Sequence, residues 1–294
     1  MALPILDFIA KNALYEIFQQ GSLIKTVTRD YSDVVAKQGE SVSVILPETP
    51  TVQDAGATGP NPAWNSATPT EVNITLDKWR ETKPIQVDGK TLATADRDVL
   101  AMYATPIASA LVADIDSAIL TVADTFTAYV GTKSTGATGP FDGTTAPDAI
   151  AEWAAYKTKF DSLSAPYADR WVVAGPTLEA AYLAQFGIYN TAGEDSELVS
   201  GFMGKKLGMN FVGHASAESG TKLGYAYHKN AIALVSRPMA QSVLTTTVGS
   251  ASFNGVGLTV ELWRDPSTSS EFIRGQILYG VKAVTSKGFE IHKL

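Results

Sequence analysis

The most constraining feature of this chain is a stretch with no pattern at all, residues 51–70, held between segments that read as strands. Ser41-Val-Ser-Val-Ile-Leu46 alternates polar and apolar residues and stops at Pro47, the period of a half-buried strand. Beyond the stretch, residues 71–79 and 82–87 again read as strands. Between them, residues 53–69 carry two glycines, three prolines and one large apolar residue, Trp64. A structureless loop of this length is uncommon inside a compact domain, so the excursion reads as a long two-stranded arm with a soft tip. A lone hairpin does not stabilise itself in water. The arm needs another surface to lie on.

Two helical patterns flank it. Residues 4–20 form an amphipathic helix, with Pro4 in its first turn, Ile5, Ile9, Ala13 and Ile17 recurring every four, and Gly21 ending it. Residues 92–128 repeat apolar residues every four at Val99, Tyr103, Ile107, Leu111, Ile115 and Ile119. A helix of that length would span about 55 Å. Pro106 predicts a kink, or a break into a short piece and a long one. Asp96/Asp98 and Asp114/Asp116 are carboxylates two residues apart, diverging by about 200° on a helix. Neither pair converges on one substrate, and both are assigned to the solvated face.

Residues 147–238 read as a separate α/β region, with helices from 147 and from 176 and strands at 170–174, 208–213, 224–227 and 231–235. Strands at 256–264 and 272–284 close the chain, and the class is α+β. An arm, a long helix and an amphipathic N-terminal segment all offer apolar surface. Either neighbouring copies cover it, as in symmetric assemblies, or it folds back within one chain.

Composition removes several chemistries. The 294 residues include no cysteine, and 23 Lys+Arg against 30 Asp+Glu give a net charge of −7. Thiolate catalysis, disulfides and zinc knuckles are excluded, and sequence-independent DNA binding is disfavoured. His214, His228 and His292 have no helical zinc-pair spacing and read as surface or strand-end residues. No phosphate-binding loop, dinucleotide fingerprint or nucleophile elbow is present. A basic, apolar leader is missing from the first residues. No stretch approaches the roughly 18–20 uncharged apolar residues of a membrane helix. A soluble protein made in a cytoplasm is expected, with no cofactor and no metal.

In order, Val27-Thr-Arg-Asp-Tyr31, Gly39-Glu-Ser-Val-Ser-Val44, Thr51-Val-Gln-Asp54 and Val72-Asn-Ile-Thr-Leu-Asp-Lys78 precede the long helix with Pro106 and Asp114-Ile-Asp116. Arg170-Trp-Val-Val-Ala-Gly-Pro176, Gly208-Met-Asn-Phe-Val-Gly213, Ala226-Tyr-His-Lys-Asn-Ala-Ile-Ala233 and Gly257-Leu-Thr-Val-Glu-Leu-Trp-Arg-Asp265 follow, then Ile277-Leu-Tyr-Gly-Val-Lys282. This succession resembles the major capsid proteins of tailed double-stranded-DNA phages, the Hong Kong 97-type fold, nearest to the coat proteins of short-tailed temperate phages.

The resemblance implies an N-terminal arm (1–48), an extended loop lying over a neighbour (49–88), a peripheral domain with a spine helix (89–146 and 246–294) and an axial domain (147–245). Implied inter-subunit contacts are Asp54, Pro60, Pro62, Trp64, Asn65 and Pro69 on the loop, and Ile5, Phe8, Ile9 and Ile17 on the arm. It implies a non-enzymatic virion shell of pentamers and hexamers, assembled in a bacterial cytoplasm with a separate scaffolding protein and a portal. The shell would enclose double-stranded DNA without gripping it, in keeping with the acidic charge. Residues 51–70 contain no lysine, so no isopeptide cross-link from the loop is expected. The alternatives are a bacterial nanocompartment shell and a carboxylate-dependent hydrolase.

Overall fold

The computed structural model describes residues 3–20, 23–29, 41–47, 50–52, 69–88, 102–131, 133, 149–189, 205–238, 247–253, 255–267 and 270–293. Helix α1 (Leu3–Gln20) is followed by strands β1 (Ser41–Leu46), β2 (Thr70–Thr75), β3 (Lys78–Glu81) and β4 (Ile85–Asp88). Then come α2 (Ala104–Ala123), β5 (Tyr129–Val130), α3 (Ala149–Ser162), β6 (Arg170–Ala174) and α4 (Pro176–Tyr189). Strands β7 (Lys205–Lys206), β8 (Met209–Gly213), β9 (Lys222–His228) and β10 (Ile232–Arg237) lead to β11 (Thr247–Phe253), β12 (Val256–Asp265), β13 (Ser270–Ala283) and β14 (Gly288–His292).

Two six-stranded sheets organise the chain. The first runs β10-β13-β12-β11, with β3 and β4 paired end to end along the other side of β13. The second runs β5-β14-β9-β6-β8-β7. Its central strands are apolar nearly throughout because both faces are covered. Val173, Tyr225 and Tyr227 face the core built on α1 and α2, while Val172, Ala174, Phe211 and Phe289 face the core built on α3 and α4.

Helix α2 lies between the two sheets. Ile107, Leu111, Ile115 and Ile119 are buried in one cluster with Val260, Ile273 and Ile277 of the first sheet and Tyr225 and Tyr227 of the second. It begins at Ala104, which puts Pro106 in the first turn, where a missing backbone N–H costs no helical bond. The break expected near Pro106 therefore falls just before it, and residues 89–101 of the expected helix lie outside the described residues. By length and composition α2 could cross a membrane, contrary to the expectation from sequence, yet 56% of that window is buried inside the protein. Protein on both sides, rather than lipid, accounts for its hydropathy.

The C-terminal strands divide between the sheets. Strands β11 to β13 join the first, whereas β14 pairs with β5 and β9 in the second. Strands β3 and β4 belong to the edge of the first sheet rather than to the arm, and the returning leg of the arm is β2 alone.

Candidate assembly interface

Strands β1 and β2 form a separate two-stranded antiparallel ribbon, from Ser41 opposite Thr75 to Leu46 opposite Thr70. Alternation gives it one apolar face. Val42, Val44 and Ile74 on that face are buried against Ala233, Val235 and Leu278 of the same chain. The close seat depends on a glycine. A Cβ at Gly280 would come within 2.1 Å of the Thr75 carbonyl oxygen.

Burial fades along the ribbon. Leu46 is only partly covered, Ile45 on the opposite face is 66% exposed, and Val52 just past the strand is fully exposed. Pro69 and Thr70, where the chain returns, are exposed as well. The ribbon is thus anchored at its base by its own protomer and bare toward its tip. Of the implied loop contacts, Pro69 is exposed, while Asp54, Pro60, Pro62, Trp64 and Asn65 lie outside the described residues.

The N-terminal helix is used differently from the loop. Ile9 and Ile17 are completely buried in the chain's own core, packed with β11, β12 and α2. In this position they offer no surface to a neighbour. Phe8, by contrast, is 56% exposed and lies on one face with exposed Lys11 and Tyr15. The helical period explains the split, since positions 8, 11 and 15 share the face opposite 9, 13 and 17. The side chain of Ile5 lies outside the described residues.

The acids of α2 are not on a solvated face, which corrects the expectation from sequence. Asp114 accepts a hydrogen bond from the Tyr279 hydroxyl of β13 and pairs with Arg80 Nε at 3.3 Å. Asp116 is buried, with Oδ2 3.4 Å from His214 Nε2 at the end of β8. Asp124 accepts from Tyr225 of β9 and pairs with Lys222. Burial first, then the hydrogen bonds to these carboxylates, push the Tyr225 and Tyr279 hydroxyls well above their ordinary range. Both stay protonated and donate. Three acids thereby tie one helix to two sheets.

A further polar cluster sits between α3 and α4. Tyr182 donates to the Tyr156 hydroxyl at 2.7 Å, Tyr156 donates to Glu152 Oε2 at 3.0 Å, and that same oxygen is 3.2 Å from the Tyr182 hydroxyl. Burial pushes the Glu152 carboxyl up to about 7, against the lowering influence of the two tyrosines. A neutral carboxyl can donate to Tyr182 while accepting from Tyr156, which closes a ring of three hydrogen bonds. Sequence reading missed this cluster. Its only local signal is the four-residue spacing of Glu152 and Tyr156 on one helix face.

The histidines sit at strand ends. His214 Nδ1 accepts from the Ser216 backbone N–H and His228 Nδ1 from that of Asn230, each helping to cap a short turn. His292 Nε2 lies 2.9 Å from Glu290. Burial raises the Glu290 carboxyl, but the Lys133 and His292 partners outweigh it and hold it below its usual range. Among the described residues no group of His, Asp and Glu is arranged to hold a metal ion.

No protein-family model matches the sequence, and no curated protein matches it either. Solved structures do. A chain from Mycobacterium phage Che8 is 20% identical, with a TM-score of 0.64 over 92% of this chain and 90% of that one. A chain in the capsid of the cyanophage P-SCSP1u is 15% identical, with a TM-score of 0.58 over 88% and 84%. A chain in the capsid of an empty GTA particle is 13% identical, with a TM-score of 0.57 over 93% and 89%. Ribbon, N-terminal helix, helix between two sheets and α/β layer all fall within these overlaps. The chain has the Hong Kong 97-type fold of phage capsid structures.

Proposed function

We propose that the protein is a major capsid protein whose copies tile the shell of a phage-like particle around packaged double-stranded DNA. The observation that carries this reading is a fold shared over most of both chains with proteins solved inside capsids. The ribbon supports it physically, because its bare distal half gains cover only from another molecule. The role is structural. The buried carboxylates are consumed in tying elements of one chain together, which leaves them no reacting group to serve.

Pentamers and hexamers would arise as the ribbon of each copy lies on the next. Phe8 on the outer face of α1 and the loop residues Asp54, Pro60, Pro62, Trp64, Asn65 and Pro69 are the contacts proposed. Without a loop lysine in residues 51–70, the shell is held by non-covalent burial. A separate scaffolding protein would set its curvature and a portal its single opening, with assembly in the host cytoplasm before the virion is released.

Sedimentation and negative-stain microscopy of the expressed protein test the reading. Closed particles or capsomer rings are expected, and a strictly monomeric chain at high concentration defeats it. Trp64→Ala is expected to weaken assembly and leave the subunit's cooperative melt unchanged. Loss of that melt would place Trp64 in the chain's own core instead.

A further inference from the structure

Exposed strand edges are sites where chains join, and proteins blunt them with charge, proline or shortness. Most edges here follow that rule. Strand β3 carries Lys78, Arg80 and Glu81, β4 ends in Asp88, β2 carries Glu71, and β7 is Lys205-Lys206. Strand β5 has two residues, and Thr28 bridges the edge of β10 through bonds to Ile232 and Leu234. Two edges break it. Strand β11, Thr-Val-Gly-Ser-Ala-Ser-Phe, pairs only with β12, and β1, Ser-Val-Ser-Val-Ile-Leu, pairs only with β2. Neither contains a charge or a proline.

A groove runs beside the bare edge of β11. It has a volume of about 420 Å³ and is lined by Lys11, Leu14 and Tyr15 of α1 and by Ser250, Ala251 and Ser252 of β11. Three consecutive strand residues line it, so the groove follows the backbone rather than one face of the strand. One wall offers peptide groups and the other an aromatic ring and an alkyl stem. That is the cross-section of a site for an extended chain, read by main-chain pairing.

Charge identifies the occupant. Lys11 is the single charged residue of the six. The ribbon and loop, residues 41–76, carry Glu48, Asp54 and Glu71 and neither lysine nor arginine. Its outer strand, β1, is the other bare edge, and Ile45 and Val52 on its distal half are uncovered. Donor and receiver lie on different parts of the chain. Their union is head-to-tail, which propagates around a ring instead of stopping at a pair.

We propose that the groove between α1 and the free edge of β11 receives the distal ribbon of a second copy, residues 45–70, as an added strand. The inference rests on the shell reading and adds to it the receiving surface and the mode of pairing. Phe8, one turn before Lys11 on the same exposed face, extends the apolar wall toward the incoming chain.

Site-specific photo-cross-linking in assembled particles tests it. Benzoylphenylalanine replaces Ser252, which is exposed, and particles are formed from an equal mixture of isotopically light and heavy subunits. The expected result is adducts joining position 252 to residues 45–70, half of them mixed in isotope. Yield should fall about tenfold when particles are dissociated to dilute subunits, because the lattice supplies the local concentration. Particles that form normally but give adducts to another segment, to the same copy only, or not at all overturn the groove assignment and leave the shell reading standing. Failure of the unmodified chain to form any particle overturns both.

Discussion

Asp114 and Asp116, two residues apart on one helix, bind opposite sheets: Asp114 takes the hydroxyl of Tyr279 in β13, and Asp116 faces His214 at the end of β8. Their angular separation of about 200° prevents them from acting on one substrate and suits them to this bracing. Asp116 is the more buried of the two. Asp116→Ala is expected to cost about 1–3 kcal/mol, as for loss of a buried hydrogen-bonding group, and Asp114→Ala about 1 kcal/mol or less. Urea denaturation of unassembled subunits checks this, and a larger loss at Asp114 would reverse the ranking.

The Glu152 ring gives a pH dependence of definite sign. The folded-state carboxyl titrates near 7 against an ordinary 4.5, so between those values the folded chain holds a proton that the unfolded chain has lost. Its stabilisation is therefore complete below pH 4.5 and is lost as pH rises through 7. Glu152→Gln keeps a donor and an acceptor but cannot ionise. The variant is expected to match the wild type at pH 5 and exceed it at pH 8 in denaturation midpoint. Equal pH profiles for the two proteins would remove Glu152 from this role.

The ribbon predicts a separation of stability from assembly. Ile74 is fully buried at its base, and Ile74→Ala is expected to destabilise the subunit by about 2–4 kcal/mol. Ile45 is bare in the subunit, so Ile45→Ser is expected to shift subunit stability by less than about 0.5 kcal/mol and still to lower particle yield. Melting curves beside sedimentation profiles distinguish the two.

Gly280→Ala tests how the ribbon is seated. The added methyl group meets the Thr75 carbonyl oxygen, which cannot move without disturbing the β1–β2 ladder. Amide exchange in β1 and β2 is expected to accelerate well before exchange in β12 and β13. Uniform acceleration across all four strands would mean that the ribbon base is not a local unit.

What was legible in the sequence follows the range of the interactions involved. Strand β1 was readable to the residue because alternation is a local pattern, and α1 because its buried stripe repeats within one segment. The role of the α2 acids was not, since Tyr279 stands 165 residues from Asp114 and no local rule joins them. The same holds for β14, whose five residues carry no mark of the sheet they will enter. Burial of Ile9 and Ile17 within the protomer was hidden for a further reason. An apolar stripe states that cover is needed, not whose cover it is.

The position of α2 between sheets assembled from later strands sets the order in which the chain can be completed. Its most apolar surface leaves the ribosome more than a hundred residues before β12 and β13, the strands that cap it. At ordinary rates of synthesis that delay is on the order of ten seconds. Throughout it, the nascent polypeptide displays an oily rod with no lid. Co-translational chaperones that shield such segments are therefore part of this molecule's maturation before any partner subunit is met.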